Sequence, residues 1–372
     1  MAAKGNVYAV ILAGGSGTRF WPKSRRRLPK QLCKIGNSEK TMLEITLDRL
    51  DGFIPPENRL IVTHVDQLEL TSQLVGDRVA RIVSEPEARQ TAAALTFGTL
   101  AVNELHEQSV KDKSFTGEAP VMISLHADHV IRDVEGFRAA LSEAVRVASS
   151  QDKLCLVGIK PTRPDTGFGY IEIGAPLKDT QSYCVESFRE KPDLRTAKEF
   201  LAKGTFLWNA GLFVWKTDVI LDELRRFLPA TYEVFEDIKS RHGSVLQASS
   251  QDLSTHYRKL QKIAIDHAVL EVSDHVAVTQ ADIGWQDVGT WSALDEAFKA
   301  DENGNLVFTD ATLIDCRNTT VDGNGPYVAA LGLHDLVVVA MNDAVLVAPK
   351  ERSQEVKLFV ESLKEEGRET LY

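Results

Sequence analysis

The sequence predicts an α/β fold, with a mainly parallel sheet flanked by helices and a small β-rich tail that ends in a helix. Three observations carry this. From the start to about Ile159, short apolar runs alternate with amphipathic stretches at helical spacing. From Asp165 to Val214, strand-like pieces come with turn residues and one short helix. Beyond a polar stretch at Asp301–Asn305, short β runs follow one another without helices between them until the end.

Each element has its own warrant. Val7–Ala13 is an unbroken apolar run, the pattern of a strand covered on both faces. Lys40–Leu50 puts Leu43, Leu47 and Leu50 on one helical face. Leu60–Thr63 and Arg81–Ser84 read as strands, and Thr91–Leu105 as an alanine-rich helix. Val121–His126 is a strand and Asp133–Ser149 a helix, with Phe137, Leu141, Ala144, Val145 and Ala148 in phase; Leu154–Ile159 is a further strand. Such βαβ alternation places ligands beyond the carboxyl ends of the strands. Tyr170–Ile173, Tyr183–Phe188 and Gly211–Trp215, with the helix Leu194–Lys203, read as a substrate-binding subregion inserted in or appended to the sheet. The tail supplies Leu306–Phe308, Thr312–Asp315, Tyr327–Leu331, Leu336–Ala340 and Val345–Pro349, then an amphipathic helix over Arg352–Lys364. The expected division is residues 1–300 and 301–372.

Composition narrows the function classes. The 372 residues are 43% hydrophobic, enough for a large core with a smaller companion domain. A net charge of -10 argues against general nucleic-acid binding, though not against a small polyanion held in a local pocket. No run approaches the roughly 20 apolar residues of a membrane span, and no secretory signal stands at the start. Cys33, Cys155, Cys184 and Cys316 are scattered and make no CxxC pair, which suits reduced thiols in a cytoplasmic protein. The nine histidines show no metal-ligand spacing.

The strongest motif follows the first strand: Gly14-Gly15-Ser16-Gly17-Thr18-Arg19-Phe20-Trp21-Pro22-Lys23-Ser24-Arg25, with Pro29-Lys30-Gln31 shortly after. Adjacent glycines let backbone N–H groups aim at phosphate oxygens. Arg19, Lys23, Arg25 and Lys30 add cationic charge at the same place. Phosphoryl and nucleotidyl transfers need this combination, because they are catalysed mainly by positioning and charge stabilisation. A P-loop would end in Gly-Lys-Ser/Thr, and a dinucleotide fingerprint would carry a third glycine where Phe20 stands. A bare Gly-Gly turn beside a solvated basic patch is the bland alternative.

This string resembles the signature of the sugar nucleotidyltransferases, and in its TRFWPKSR…PKQ form it is similar to the mannose-1-phosphate guanylyltransferases. Collinear matches continue through Glu85-Pro86, His126-Ala127-Asp128-His129, Gly167-Phe168-Gly169-Tyr170-Ile171, Phe188-Arg189-Glu190-Lys191-Pro192, Trp208-Asn209-Ala210-Gly211-Leu212-Phe213, Ile265-Asp266-His267-Ala268 and Gly284-Trp285-Gln286-Asp287-Val288-Gly289-Thr290-Trp291. They span about residues 6 to 372.

The resemblance implies a Rossmann-like, GT-A-like nucleotidyltransferase domain over 1–300 and a small β-rich domain with a terminal helix over 301–372. It implies transfer of GMP from GTP to mannose 1-phosphate, giving GDP-mannose and pyrophosphate. Arg19 and Lys30 are the implied catalytic cations. Leu12, Ala13, Gly14, Gly15, Ser16, Gly17, Thr18, Lys23, Arg25, Glu85, Arg89 and Thr91 are the implied nucleotide contacts. Gly169, Glu190, Lys191, Asn209 and Asp266 face the sugar phosphate, and Asp128 and Asp287 hold Mg²⁺. The family's bifunctional members carry an additional mannose-6-phosphate isomerase domain, and none is expected in these 372 residues.

Several of these residues have structural alternatives. Asp128 alone reads equally as a turn or cap aspartate. Asp266 reads equally as a helix N-cap. Glu190-Lys191 in isolation is a surface pair before a helix, Asn209 and Gly169 are turn residues, and Trp285 and Trp291 are packing residues. Glu85–Ala93 departs from the family pattern at Ala88, Gln90 and Ala93, so the base is the softest carry-over. Partners are the two substrates, with a homodimer left open, no nucleic acid and no membrane. The rival readings are a glucose-1-phosphate thymidylyl- or uridylyltransferase and a non-catalytic regulator that binds a sugar nucleotide.

Overall fold

The computed structural model describes residues 6–15, 17–111 and 118–372. The chain forms two compact units from interleaved segments. The first takes Met1–Gly14, Arg49–His126 and Ile131–Trp285, and the second takes Gly15–Asp48, Ala127–Val130 and Gln286–Tyr372.

The first unit is a nine-stranded sheet whose order is Arg81–Glu85, Arg59–His64, Val7–Ala13, Val121–His126, Phe206–Lys216, Leu154–Ile159, Val276–Ala281, Ser182–Arg189, Tyr170–Pro176. The first four strands run parallel, and Leu154–Ile159 runs parallel to Val276–Ala281. The strand Phe206–Lys216 lies antiparallel between Val121–His126 and Leu154–Ile159. The region read as an inserted subregion is therefore woven into the sheet itself. Every residue of Val7–Ala13 is buried, as an unbroken apolar run requires. Ala92, Ala93, Leu95, Phe97 and Leu100 of the helix Gln90–Lys111 belong to the same core, and Gly98 lets that helix lie against Val10, where a Cβ would come within 2.8 Å of the valine. Asp133 caps the helix Val134–Gln151 by accepting the Gly136 N–H at 2.9 Å.

The second unit is a short β-coil with the signature segment packed into it. Leu306–Val307, Thr320–Gly323 and Leu336–Ala340 stack in parallel, as do Ala311–Ile314 and Val328–Leu331. Val345–Pro349 closes the stack antiparallel to Leu336–Ala340. Its core joins Phe20, Trp21, Cys33, Ile35 and Met42 to Trp291, Leu294, Val337, Val339, Leu346, Val356 and Val360. The apolar half of the signature segment shares this core, so it clusters with the tail although it lies within residues 1–300. The expected helix Arg352–Lys364 opens as a 3-10 turn, Lys350–Val356, because Lys350, Ser353 and Val356 are buried at a spacing of three. It becomes α-helical over Lys357–Glu365. Among the described residues no helix is long and apolar enough to cross a membrane.

Candidate active site

In the second unit the signature segment folds around Lys30. Gly17 adopts φ +57°, and a Cβ there would come 2.7 Å from Lys30 Cβ, so only glycine permits this approach. Ser24 Oγ donates to the Gly17 carbonyl at 2.6 Å, and Gln31 Nε2 to the Gly15 carbonyl at 3.2 Å. Thr18–Phe20 forms one 3-10 turn, and Ser16 lies outside the described residues. Arg19 Nη1 donates to Gln354 Oε1 at 3.0 Å.

Lys30 is 3% exposed, and its ammonium lies 2.8 Å from Asp128 Oδ2 and 3.9 Å from Asp287 Oδ1. A short antiparallel pairing of His129–Val130 with Gln286–Asp287 sets His129 opposite Asp287. Two loops far apart in sequence thus bring their carboxylates to one ammonium. Two hard oxygen donors around a cationic position form the donor set that Mg²⁺ accepts together with phosphate oxygens and water.

Two of the expected nucleotide contacts are ion-paired within the second unit. Lys23 Nζ is held by both oxygens of Asp322, at 2.7 and 2.8 Å. Arg25 donates to the carbonyls of Pro22 and Ser24 and pairs with Asp343 at 3.0 Å. Both cations are thus committed to carboxylates of the tail, because Phe20 and Trp21 draw this turn into the tail's core.

In the first unit, Leu12 and Ala13 end the first strand, buried, ahead of Gly14. Glu85 ends its own strand and is buried, with Oε2 3.7 Å from the place a Gly14 Cβ would take. Burial pushes its carboxyl up to about 8, and Oε1 has no hydrogen-bond partner among the described residues. Arg89 pairs with Glu87 at 2.7 Å, and Thr91 Oγ1 accepts the Ile265 N–H at 2.9 Å. Thr91 therefore positions the segment that leads into Asp266, a use the sequence alone does not reveal.

Around Asp266 the residues expected to face the sugar phosphate come together. Asn209 Nδ2 donates to Asp266 Oδ1 at 2.8 Å, and Asn209 Oδ1 accepts the Gly211 N–H at 3.0 Å. The Asn209 N–H donates to the Gly169 carbonyl at 2.8 Å. A Cβ on Gly169 would sit 2.5 Å from Glu190 Oε2, so the glycine makes room for that carboxylate. Glu190 pairs with Lys191 at 2.9 Å, and Lys191 is the more exposed of the two at 63%. Loss of solvent, then the charge of Glu190, pushes Asp266 up to about 6. Asp266 opens the π-helical turn Asp266–Leu270, but its carboxylate is spent on Asn209 and does not cap that turn.

A model of the nucleotidyl transferase family matches residues 8–304, and one of the MannoseP isomerase/GMP-like beta-helix domain matches residues 309–363. The chain is 35% identical over 372 residues to a mannose-1-phosphate guanylyltransferase of Escherichia coli K12, covering 98% of this chain and 75% of that protein. It is 37% identical over 366 residues to the xanthan biosynthesis protein XanB of Xanthomonas campestris pv. campestris, covering 98% and 74%. The chain belongs to the mannose-1-phosphate guanylyltransferase family. A crystal structure from Thermus thermophilus, described as a mannose-1-phosphate geranyltransferase, superposes with a TM-score of 0.84 at 34% identity, over 96% of this chain and 99% of that one. The second matched model agrees with the parallel stacking seen in the tail.

Membership in this guanylyltransferase family leaves several supporting residues unaccounted for. Asp322 and Gln354 reach signature cations from the tail, and Glu271 Oε1 accepts the Glu190 N–H at 2.9 Å while its other oxygen meets His267 Nδ1 at 2.9 Å. None has a motif of its own. Ser24 is legible inside the glycine-rich string, and Gln31 in the Pro29-Lys30-Gln31 run just after it.

Proposed function

We propose that this protein transfers GMP from GTP to mannose 1-phosphate, releasing pyrophosphate and GDP-mannose. The observation that carries this reading is the convergence of Asp128 and Asp287 on the Lys30 ammonium, in a chain of this family. A phosphate oxygen of the sugar attacks the α-phosphorus of GTP. The bond from that phosphorus to the bridging oxygen breaks, and pyrophosphate leaves with the electron pair. The sugar phosphate is already a nucleophile, so the chain need supply neither nucleophile nor general base.

The chain's work is charge and position. Lys30 and Arg19 stabilise negative charge that grows on the α-phosphate and the leaving pyrophosphate. Lys191 holds the sugar phosphate, while Glu190, Asn209 and Asp266 take sugar hydroxyls. Glu85 brings a buried carboxyl, with Oε1 unpartnered among the described residues, beside Gly14, where the nucleotide is expected. Asp128 and Asp287 would hold Mg²⁺, which when bound neutralises phosphate charge that would otherwise set the substrates against each other. Relatives named as mannose-1-phosphate guanylyltransferases support the substrate pair. The free cysteines support a cytoplasmic setting.

Pyrophosphate release over a grid of nucleoside triphosphates and sugar 1-phosphates tests the reading. GTP with mannose 1-phosphate is expected to turn over fastest, with activity lost in EDTA and restored by Mg²⁺. Faster turnover of UTP or dTTP with glucose 1-phosphate, or full activity in EDTA, would overturn it.

A further inference from the structure

Asp322 stands in the strand Thr320–Gly323 of the tail with its side chain fully buried. Both of its oxygens accept from Lys23 Nζ, at 2.7 and 2.8 Å, and Oδ1 also accepts the Gly323 N–H at 2.6 Å. Burial pushes this carboxyl upward, and Lys23 pulls it back down. An ion pair taken out of water is a poor device for stability, because apolar residues of the same volume commonly do as well. Both partners are nonetheless present, and Lys23 belongs to the signature segment.

The contacts continue from there in one direction. The Lys23 and Ser24 N–H groups both donate to the Phe20 carbonyl, at 2.9 and 3.0 Å, which closes the turn. Ser24 Oγ then holds the Gly17 carbonyl at 2.6 Å. Gly17 lies so close to Lys30 that no side chain fits between them. Lys30 in turn reaches Asp128 and Asp287. Each step is a hydrogen bond, an ion pair or a close packing contact inside one compact unit, so displacing the Lys23 turn displaces the backbone against which Lys30 is braced.

We infer that Asp322 is a positioning residue for nucleotidyl transfer, acting through Lys23, Ser24 and Gly17 on Lys30. The tail then contributes no group to the chemistry but sets where a catalytic cation stands. This rests on the role given to Lys30 above. Catalytic groups tolerate little misplacement, and an error of about 1 Å costs on the order of 10²-fold in rate. A positioning role therefore appears in kcat even when the fold is intact.

The test compares four variants with the wild type on the wild type's own best substrate pair, reading kcat, KM and thermal midpoint. Asp322→Asn leaves the Lys23 charge buried and should lose both stability and kcat. The double variant Asp322→Asn with Lys23→Met removes both charges at similar volume. It should recover the thermal midpoint while kcat stays down by about tenfold or more. Ser24→Ala touches no buried charge and should keep the midpoint within about 2 °C, with kcat lowered roughly 3–10-fold and KM within about twofold. A double variant with wild-type kcat would mean the pair only avoids an unpaired charge, and would overturn the assignment. Wild-type kcat in Ser24→Ala would overturn it as well, and decides the matter if neither Asp322 variant folds. Lys30→Ala locates any failure: if it retains kcat, the error lies in the role of Lys30. A wild type that prefers other substrates counts against the substrate reading alone, because the positioning is judged from variant-to-wild-type ratios.

Discussion

Two carboxylate clusters in this molecule are built in opposite ways. Asp128 and Asp287 keep 32% and 39% of their side chains exposed and share a buried ammonium. Asp266 is partly buried beside Glu190, is bound to the neutral amide of Asn209, and is pushed up to about 6. The exposed pair sets two carboxylates against one ammonium, an arrangement that a further cation with anionic phosphates would complete. The enclosed carboxylate gives up part of its preference for the charged form, which suits neutral donors such as hydroxyls. Residue type does not distinguish these aspartates; solvent and partner do.

The contrast breaks first at the exposed cluster, where the largest effects are expected. Asp128→Asn, Asp287→Asn and Lys30→Ala should each lower kcat by about 10²–10³, since each removes charge that matters where the transition state differs from the substrate. Single-turnover pyrophosphate release measures this, and a change confined to KM would make the cluster a ground-state binding device. At the enclosed cluster, Asn209→Ala should lower kcat/KM for the sugar phosphate by roughly 10–100-fold, the loss typical of a hydrogen bond to a charged group. An equal loss with every sugar 1-phosphate tried would mean that Asn209 only holds Asp266 in place.

Acidity sharpens the same contrast. Burial raises the Glu85 carboxyl from 4.5 to about 8, so the fold favours its protonated form. Its contribution to stability is full below about pH 4.5 and is lost as pH rises through about 8. For Asp266 the corresponding loss runs from about pH 4 through about 6. Thermal unfolding across pH 4 to 9 should show wild type losing ground to Glu85→Gln above about pH 5. Parallel curves would show that Glu85 is not desolvated in the free protein. The smallest effect belongs to Asp343, half exposed where it pairs with Arg25. Asp343→Ala should change stability by no more than about 1 kcal/mol and leave kcat within about twofold, because surface ion pairs contribute little.

Much of the fold was legible from apolar runs with polar ends. Val121–His126, Leu154–Ile159, Leu194–Lys203, Leu336–Ala340 and Val345–Pro349 carry the same bounds in sequence and structure. Phe206–Lys216 was half hidden, because Asn209 and Gly211 interrupt its apolar pattern in order to serve Asp266 and a φ of +63°. The helices Thr217–Phe227, Pro229–His242 and Ser250–Tyr257 lie between clearer motifs and carry none of their own. The tail's coil was unreadable for another reason. Leu306 pairs with Thr320, 14 residues on, while Ala311 pairs with Val328 and Thr320 with Val337, 17 residues on, with no repeated residue to mark the turns. At the site, Arg19, Lys30, Asp128 and Asp287 are carried by motifs, while Gln354 and Asp322, which hold Arg19 and Lys23, are not. Gln354 and Asp322 meet their cations across 335 and 299 residues of chain, a distance at which local pattern holds no information.

The interleaving of the two units also imposes a timetable on biosynthesis. Phe20 and Trp21 leave the ribosome early, yet their core companions Val337, Val339 and Leu346 are made more than 300 residues later. At about 5–20 residues per second, that interval is on the order of 15–60 seconds. Throughout it, the nascent chain carries two large aromatic side chains that have no finished core to enter. A ribosome stalled near residue 300 would hold the first unit's strands with the signature segment still lacking most of its core companions.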